Sequence, residues 1–267
     1  MPTDLSRRLF AEALGTALLV AAVVGSGIAA QRLSPGDTGL QLLENAVATA
    51  AALVAIILAV GPVSGAHLNP AVTLAARILG SLTTAEALCY AGAQMAGGAV
   101  GAAAANVMFD LPAIELSDQA RSSGALWTSE AVATFGLLVV IFGVVRSGRS
   151  SLAPFAVGAY IGAAYFFTSS TSFANPAVTA ARALSNTFAG IAPSSVPAFV
   201  IAQLAGAVLA VGAARVLYPS VAVAAPEVVL PHPHGPEREH GLRAVQAQAS
   251  VGGPEPPAAR HTSGGER

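Results

Sequence analysis

The same five residues occur twice in this chain, as Asn69-Pro70-Ala71-Val72-Thr73 and as Asn175-Pro176-Ala177-Val178-Thr179. An Asn–Pro pair reads as a helix start. The Asn side chain caps free backbone N–H groups, and Pro fits the first turn, where its missing donor has no cost. Each copy follows a loop and opens an apolar run too short to cross a bilayer, ending in Ala-Ala-Arg at Arg77 and at Arg182. Two short helices are expected, each turning a capped, electropositive N-terminus toward something.

The rest of the chain says that this something lies in a membrane. Of its 267 residues 54% are hydrophobic and only 10% charged, whereas a soluble domain carries about a quarter charged residues. The net charge of −1 gives no electrostatic case for nucleic acid as a partner. Six stretches approach the roughly 20 residues a bilayer core requires, near 8–30, 40–62, 84–108, 127–146, 152–168 and 196–218. The first is too long for the apolar region of a signal peptide, about 7–15 residues. Cys89, the lone cysteine, lies in an apolar run and is expected to be buried.

All 13 basic residues are Arg, and with the abundant Ala this suggests a bacterial source and a multi-pass protein of the bacterial inner membrane. Arg7, Arg8, Arg77, Arg146, Arg149 and Arg215 fall on the side of the C-terminal tail; Arg32, Arg121 and Arg182 fall opposite. The positive-inside rule then makes both termini cytoplasmic. Residues 219–267, rich in Pro and carrying four of the five His, read as a disordered cytoplasmic tail behind a channel domain of residues 1–218.

Within 1–218 there is an internal repeat. Glu12-x-x-x-Thr16-x-x-Leu19 matches Glu130-x-x-x-Thr134-x-x-Leu137, and Ala93-Gln94-x-x-Gly97 matches Ala202-Gln203-x-x-Gly206. Each half, about 7–108 and 125–218, has three spans. An odd number forces the second half into the membrane upside down, a plan that places the functional site near the midplane between the halves. The expected fold is an all-α membrane protein: six transmembrane helices plus two re-entrant half-helices in an inverted repeat. Asn69 then faces Asn175 at mid-membrane, where irregular backbone is tolerated only if buried or lining a cavity.

His67-Leu68-Asn69-Pro70-Ala71-Val72-Thr73 and Asn175-Pro176-Ala177, together with Glu12, Glu130, Gln94 and Gln203, resemble the major intrinsic proteins, the aquaporins and aquaglyceroporins. The resemblance covers about residues 7–218. It implies an aquaporin-like homotetramer in the lipid bilayer, one pore per subunit, passing water or small neutral solutes with no cofactor and no metal. It makes Asn69 and Asn175 central hydrogen-bond donors, Glu12 and Glu130 braces for the loops, and Gln94 and Gln203 helix-packing groups.

The chain departs from that family after the second box. Where most members carry the filter Arg, it has Val178, and where aquaglyceroporins continue with Asp it has Thr179. By spacing, the other filter positions fall at Thr49, at Ser172, and at Tyr165 or Ala163 according to the end of the span from which one counts. A constriction of Thr49, Tyr165, Ser172 and Val178 is wider than a strict water filter. It favours glycerol-like polyols, urea or neutral metalloid hydroxides such as arsenous acid, and some bacterial members with an aliphatic residue here are associated with arsenic resistance. Arg182, four residues past Val178 on the same face, is either a displaced positive charge in the outer vestibule or an anchor for its helix end, as Arg77 is for the first. A strict water channel and an ion-coupled secondary transporter are the alternatives. No nucleophile–base or metal set marks an enzyme.

Overall fold

The computed structural model describes residues 4–218, so the expected tail at 219–267 lies outside the described residues. Eight α-helices run in order: α1 (Leu5–Leu33), α2 (Thr38–Ser64), α3 (Pro70–Ile78), α4 (Thr84–Met108), α5 (Gly124–Arg146), α6 (Ala153–Phe167), α7 (Pro176–Arg182) and α8 (Val196–Leu217). The short α3 and α7 start where the Asn–Pro pairs lie. Asn69 and Asn175 are their N-caps, each accepting from the backbone N–H two residues on, with Pro in the first turn.

The packing is that of two related halves. Helix α1 packs on α2 and α4 as α5 packs on α6 and α8. Between the halves α2 meets α6, α3 meets α8, α7 meets α4, and α3 touches α7. Each of these contacts maps onto another, or onto itself, when the halves are exchanged, as an inverted repeat requires.

Five helical segments are long and apolar enough to cross a membrane: Leu5–Leu33, Thr38–Ser64, Gly124–Arg146, Ser150–Phe167 and Pro193–Leu217. The expected span at α4 is long enough but falls short in hydropathy, being built largely of Ala and Gly around Gln94 and Asn106. The reason is its contact with α1. A Cβ on Gly97 would collide with the carbonyl of Ala13, and one on Gly101 with that of Ala17. The second half does the same, with Gly206 of α8 against the carbonyl of Ala131 in α5. Small residues let membrane helices approach this closely and pack by van der Waals contact.

Cys89 is exposed, not buried. In a membrane protein an apolar run points outward to lipid as readily as inward, so hydropathy does not report burial.

The glycine contacts are testable. Gly97→Val and Gly206→Val each force backbone apart at a helix crossing. Both variants are expected to lose most of the monodisperse protein recovered in detergent, measured by size-exclusion chromatography. Gly212→Val, whose added atom meets nothing within 4 Å, is expected to behave as the parent.

Candidate functional site

The site begins with two buried carboxylates. Glu12 of α1 and Glu130 of α5 are both 0% exposed. Glu12 accepts from the backbone N–H groups of His67 (2.9 Å) and Leu68 (2.7 Å), from Ser64 Oγ (2.6 Å) and from Gln94 Nε2 (2.8 Å). Glu130 accepts from the N–H groups of Phe173 and Ala174, both at 2.9 Å, and from Gln203 Nε2 at 2.6 Å. Each glutamine also donates to a box threonine, Gln94 to Thr73 (3.0 Å) and Gln203 to Thr179 (2.8 Å). Two successive N–H groups converging on one anion form a backbone nest. Carboxylate and nest thus solve each other's desolvation problem.

Holding the loops this way requires unusual backbone. Gly65, Ala66 and Leu68 lie at φ of 86°, 49° and 52°, and Thr171, Ser172 and Ala174 at 63°, 51° and 48°. The left-handed residues therefore stand four, three and one places before each box Asn. For non-Gly residues each costs about 1–3 kcal/mol, which the carboxylate bonds offset. The result frees a carbonyl at the tip of each loop, and the opposite box uses it. Asn69 Nδ2 donates to Ala174 O and Asn175 Nδ2 to Leu68 O, both at 2.8 Å. An amide carries two N–H donors, so one from each Asn crosses between the halves and the other has no protein partner among the described residues.

Around this junction lies a cavity that is open in part to solvent. Its wall has two sides. The helices contribute aliphatic residues in repeat-related pairs: Leu19 with Leu137, Val23 with Ile141, and Leu53 with Ile161. The loops contribute polar groups around Asn69, Asn175, His67 and Ser172. An amphipathic wall of this kind suits a solute with a carbon face and a hydroxyl face.

All four residues expected at the constriction, Thr49, Tyr165, Ser172 and Val178, line the cavity. Of the two alternatives on α6, Tyr165 is buried and faces the cavity, while Ala163 is exposed. The Tyr165 hydroxyl lies 3.1 Å from Thr49 Oγ1. Ser172 Oγ is buried with no partner among the described residues. In the repeat, Thr49 corresponds to Val157 and Tyr165 to Ile57, which also line the cavity. The polar pair of Thr49 and Tyr165 therefore has no polar counterpart on the other side of the junction.

Arg182 is the main difference from the two-box symmetry. Arg77 is exposed and donates to Thr84 Oγ1 at 2.9 Å. Arg182 is only 3% exposed and lines the cavity. The two do not correspond, because the first box reaches its arginine one residue later. Val72 and Arg77 are five apart, Val178 and Arg182 four apart. One residue turns a helical side chain by about 100°, so Arg77 leaves the face of Val72 while Arg182 stays on the face of Val178. Arg182 Nε donates to the Ala189 carbonyl, and its guanidinium lies 3.4 Å from the centre of the Phe173 ring. Arg121, from the loop before α5, lies 5.2 Å from the same ring and donates to Gly190 O at 2.9 Å.

The sequence reading missed Phe173 and its ring partner Phe199, 5.2 Å apart. Their counterparts His67 and Tyr90 are 5.3 Å apart, and Arg8 stacks on Tyr90 at 5.1 Å while pairing with Glu86 at 3.0 Å. The signal was present. The repeat offsets that relate the boxes and the glutamines also relate these aromatics.

Two inverted halves whose half-helices meet in a cavity between the transmembrane helices define a pore-forming membrane channel. The profile of the family described as Major intrinsic protein matches residues 2–172. Aquaglyceroporin AqpS of Rhizobium meliloti (strain 1021) is 52% identical over 212 residues, 79% of this chain and 90% of that protein. Lens fiber major intrinsic protein of Homo sapiens is 31% identical over 172 residues, 60% of this chain and 62% of that protein. The X-ray structure of the aquaglyceroporin from Plasmodium falciparum shares the fold, with a TM-score of 0.62 at 21% identity, covering 82% of this chain and 100% of that one. The chain belongs to the major intrinsic protein family. It is a multi-pass membrane channel for water and small solutes, not an enzyme.

The carboxylate brace yields a prediction. Glu130→Ala strands the Phe173 and Ala174 N–H groups, and a buried unpaired donor costs about 1–3 kcal/mol. Glu130→Gln keeps one acceptor oxygen. Thermal unfolding in detergent is expected to rank parent above Gln above Ala, with the Ala variant losing solute flux in liposomes.

Proposed function

We propose that the cavity is the conduction path and that the constriction of Thr49, Tyr165, Ser172 and Val178 passes uncharged solutes larger than water. Glycerol-like polyols, urea and neutral metalloid hydroxides such as arsenous acid are the solute class. The observation that carries this reading is Val178. It stands in the wall four residues before Arg182, so an aliphatic side chain takes the place where a long guanidinium would narrow the path. The unpartnered Ser172 hydroxyl and the free Asn donors supply hydrogen bonds, and the aliphatic wall accommodates carbon or a metalloid centre. The 52% identical relative named as an aquaglyceroporin supports a solute range beyond water.

In this reading the protein is a homotetramer of the bacterial inner membrane with one pore per subunit. Exposed apolar residues such as Phe10, Val47, Val100 and Val208 supply surfaces for lipid and for neighbouring copies. Both termini are cytoplasmic, which puts the Val178–Arg182 mouth on the outer side. Asn69 and Asn175 donate to the solute at the midpoint, while Pro70, Ala71, Pro176 and Ala177 shape the helix starts behind them. Glu12 and Glu130 brace the loops.

Stopped-flow light scattering of reconstituted protein tests this. Glycerol, urea and arsenous acid are expected to pass along with water, and swelling is expected to be unaffected by collapsing ion gradients. Val178→Arg is expected to lower permeation of the larger solutes by at least about tenfold while water flux persists. Passage of water alone through the parent protein would contradict the reading.

A further inference from the structure

We infer that Arg182 is the charge-selecting residue of this pore, and that size selection and charge selection, set by Val178 and Arg182 respectively, are carried one helical turn apart. The inference rests on the reading that the cavity is the conduction path.

Arg182 is buried and has no ion pair among the described residues. Among the described residues the one salt bridge joins Arg8 and Glu86, at the opposite mouth. A guanidinium has five N–H donors. One, on Nε, goes to the Ala189 carbonyl. The four on the terminal nitrogens have no partner among the described residues, and the side chain lines the cavity. A buried cation left in this state is very costly unless water or solute in the cavity solvates it. Its free donors therefore belong to whatever occupies the path.

Two features hold the charge there. The spacing of four from Val178 keeps Arg182 on the cavity face of α7, where Arg77 has turned away from the corresponding face of α3. The Phe173 ring lies flat enough under the guanidinium to give a centre distance of 3.4 Å. Cation–π attraction strengthens when the pair is desolvated. Phe173 is itself fixed by its N–H bond to Glu130 and by contact with Phe199. It acts as a positioning residue, while Arg182 is the group that meets the permeant.

The arrangement separates two tasks. At Val178 the path is lined by an uncharged aliphatic side chain. About 6 Å further along α7, four residues at 1.5 Å each, Arg182 repels cations and offers donors to solute oxygens. A neutral hydroxylated solute gains hydrogen bonds on passing, whereas a hydrated cation meets an uncompensated positive charge.

The test is a pair of flux measurements on the full chain in liposomes, water permeability by light scattering and cation leak by a pH- or potassium-sensitive dye. Arg182→Gln keeps donors without charge and is expected to raise the ratio of cation leak to water flux about tenfold or more. Arg182→Lys is expected to hold leak near the parent value. Phe173→Leu is expected to give an intermediate ratio of leak to water flux, restored by Phe173→Tyr. The exchange Val178→Arg with Arg182→Val is expected to restore cation exclusion while restricting glycerol. An unchanged ratio of cation leak to water flux in Arg182→Gln would overturn the inference. So would equal leak in the Lys and Gln variants. If the parent protein carried no solute other than water but Arg182→Gln leaked cations, the solute reading would fail while the charge assignment stood.

Discussion

The structure depends on two buried carboxylates that each bind two consecutive backbone N–H groups. Glu12 and Glu130 are fully buried, and each has a loop wrapped around it. Without these bonds the left-handed residues at 66, 68, 171, 172 and 174 would have no compensation for their backbone strain. The loop carbonyls of Leu68 and Ala174 would then lose their place opposite Asn175 and Asn69. The two halves are thus joined at the centre by reciprocal hydrogen bonds whose geometry is set by acids lying one helix further out. Glutamines from α4 and α8 complete the brace by linking each acid to the threonine of its own box.

The cavity lining breaks the symmetry that builds the fold. The junction is nearly two-fold, but the mouths are not. Thr49 and Tyr165 make a polar pair at one mouth where Val157 and Ile57 are aliphatic at the other. Phe173 stacks under a cavity-facing arginine, while His67 pairs with a tyrosine whose arginine lies outside the cavity lining. A single-residue difference in the spacing between box and arginine decides which arginine faces the cavity. Inverted repeats permit this because each mouth is built from different elements of the two halves, so one mouth can change without disturbing the central bonds.

Much of this was legible in the sequence. The boxes, the odd number of spans per half and the paired Glu and Gln landmarks of the repeat pointed to the fold, while the bonds from Gln94 and Gln203 to the acids and box threonines, beyond helix packing, emerge only in the structure. The position of Tyr165 was reached by counting from the start of its span, and it faces the cavity where Ala163 does not. Other features were out of reach for physical reasons. Burial of Cys89 was misjudged because lipid and protein core reward the same apolar residues. The weak hydropathy of α4 reflects close helix packing, which a transfer scale does not see. Arg77 and Arg182 looked equivalent in the linear string, and only counting along the helix from Val72 and Val178 separates them.

The central claim is that the α7 face bearing Val178 lines the conducting path. The most direct measurement is thiol labelling of Val178→Cys in a Cys89→Ser background, with flux of water and glycerol followed before and after reaction with a small methanethiosulfonate reagent. Stoichiometric labelling that blocks both fluxes, with no effect on the Cys89→Ser parent, is the predicted result. Complete labelling with unchanged flux would contradict the account.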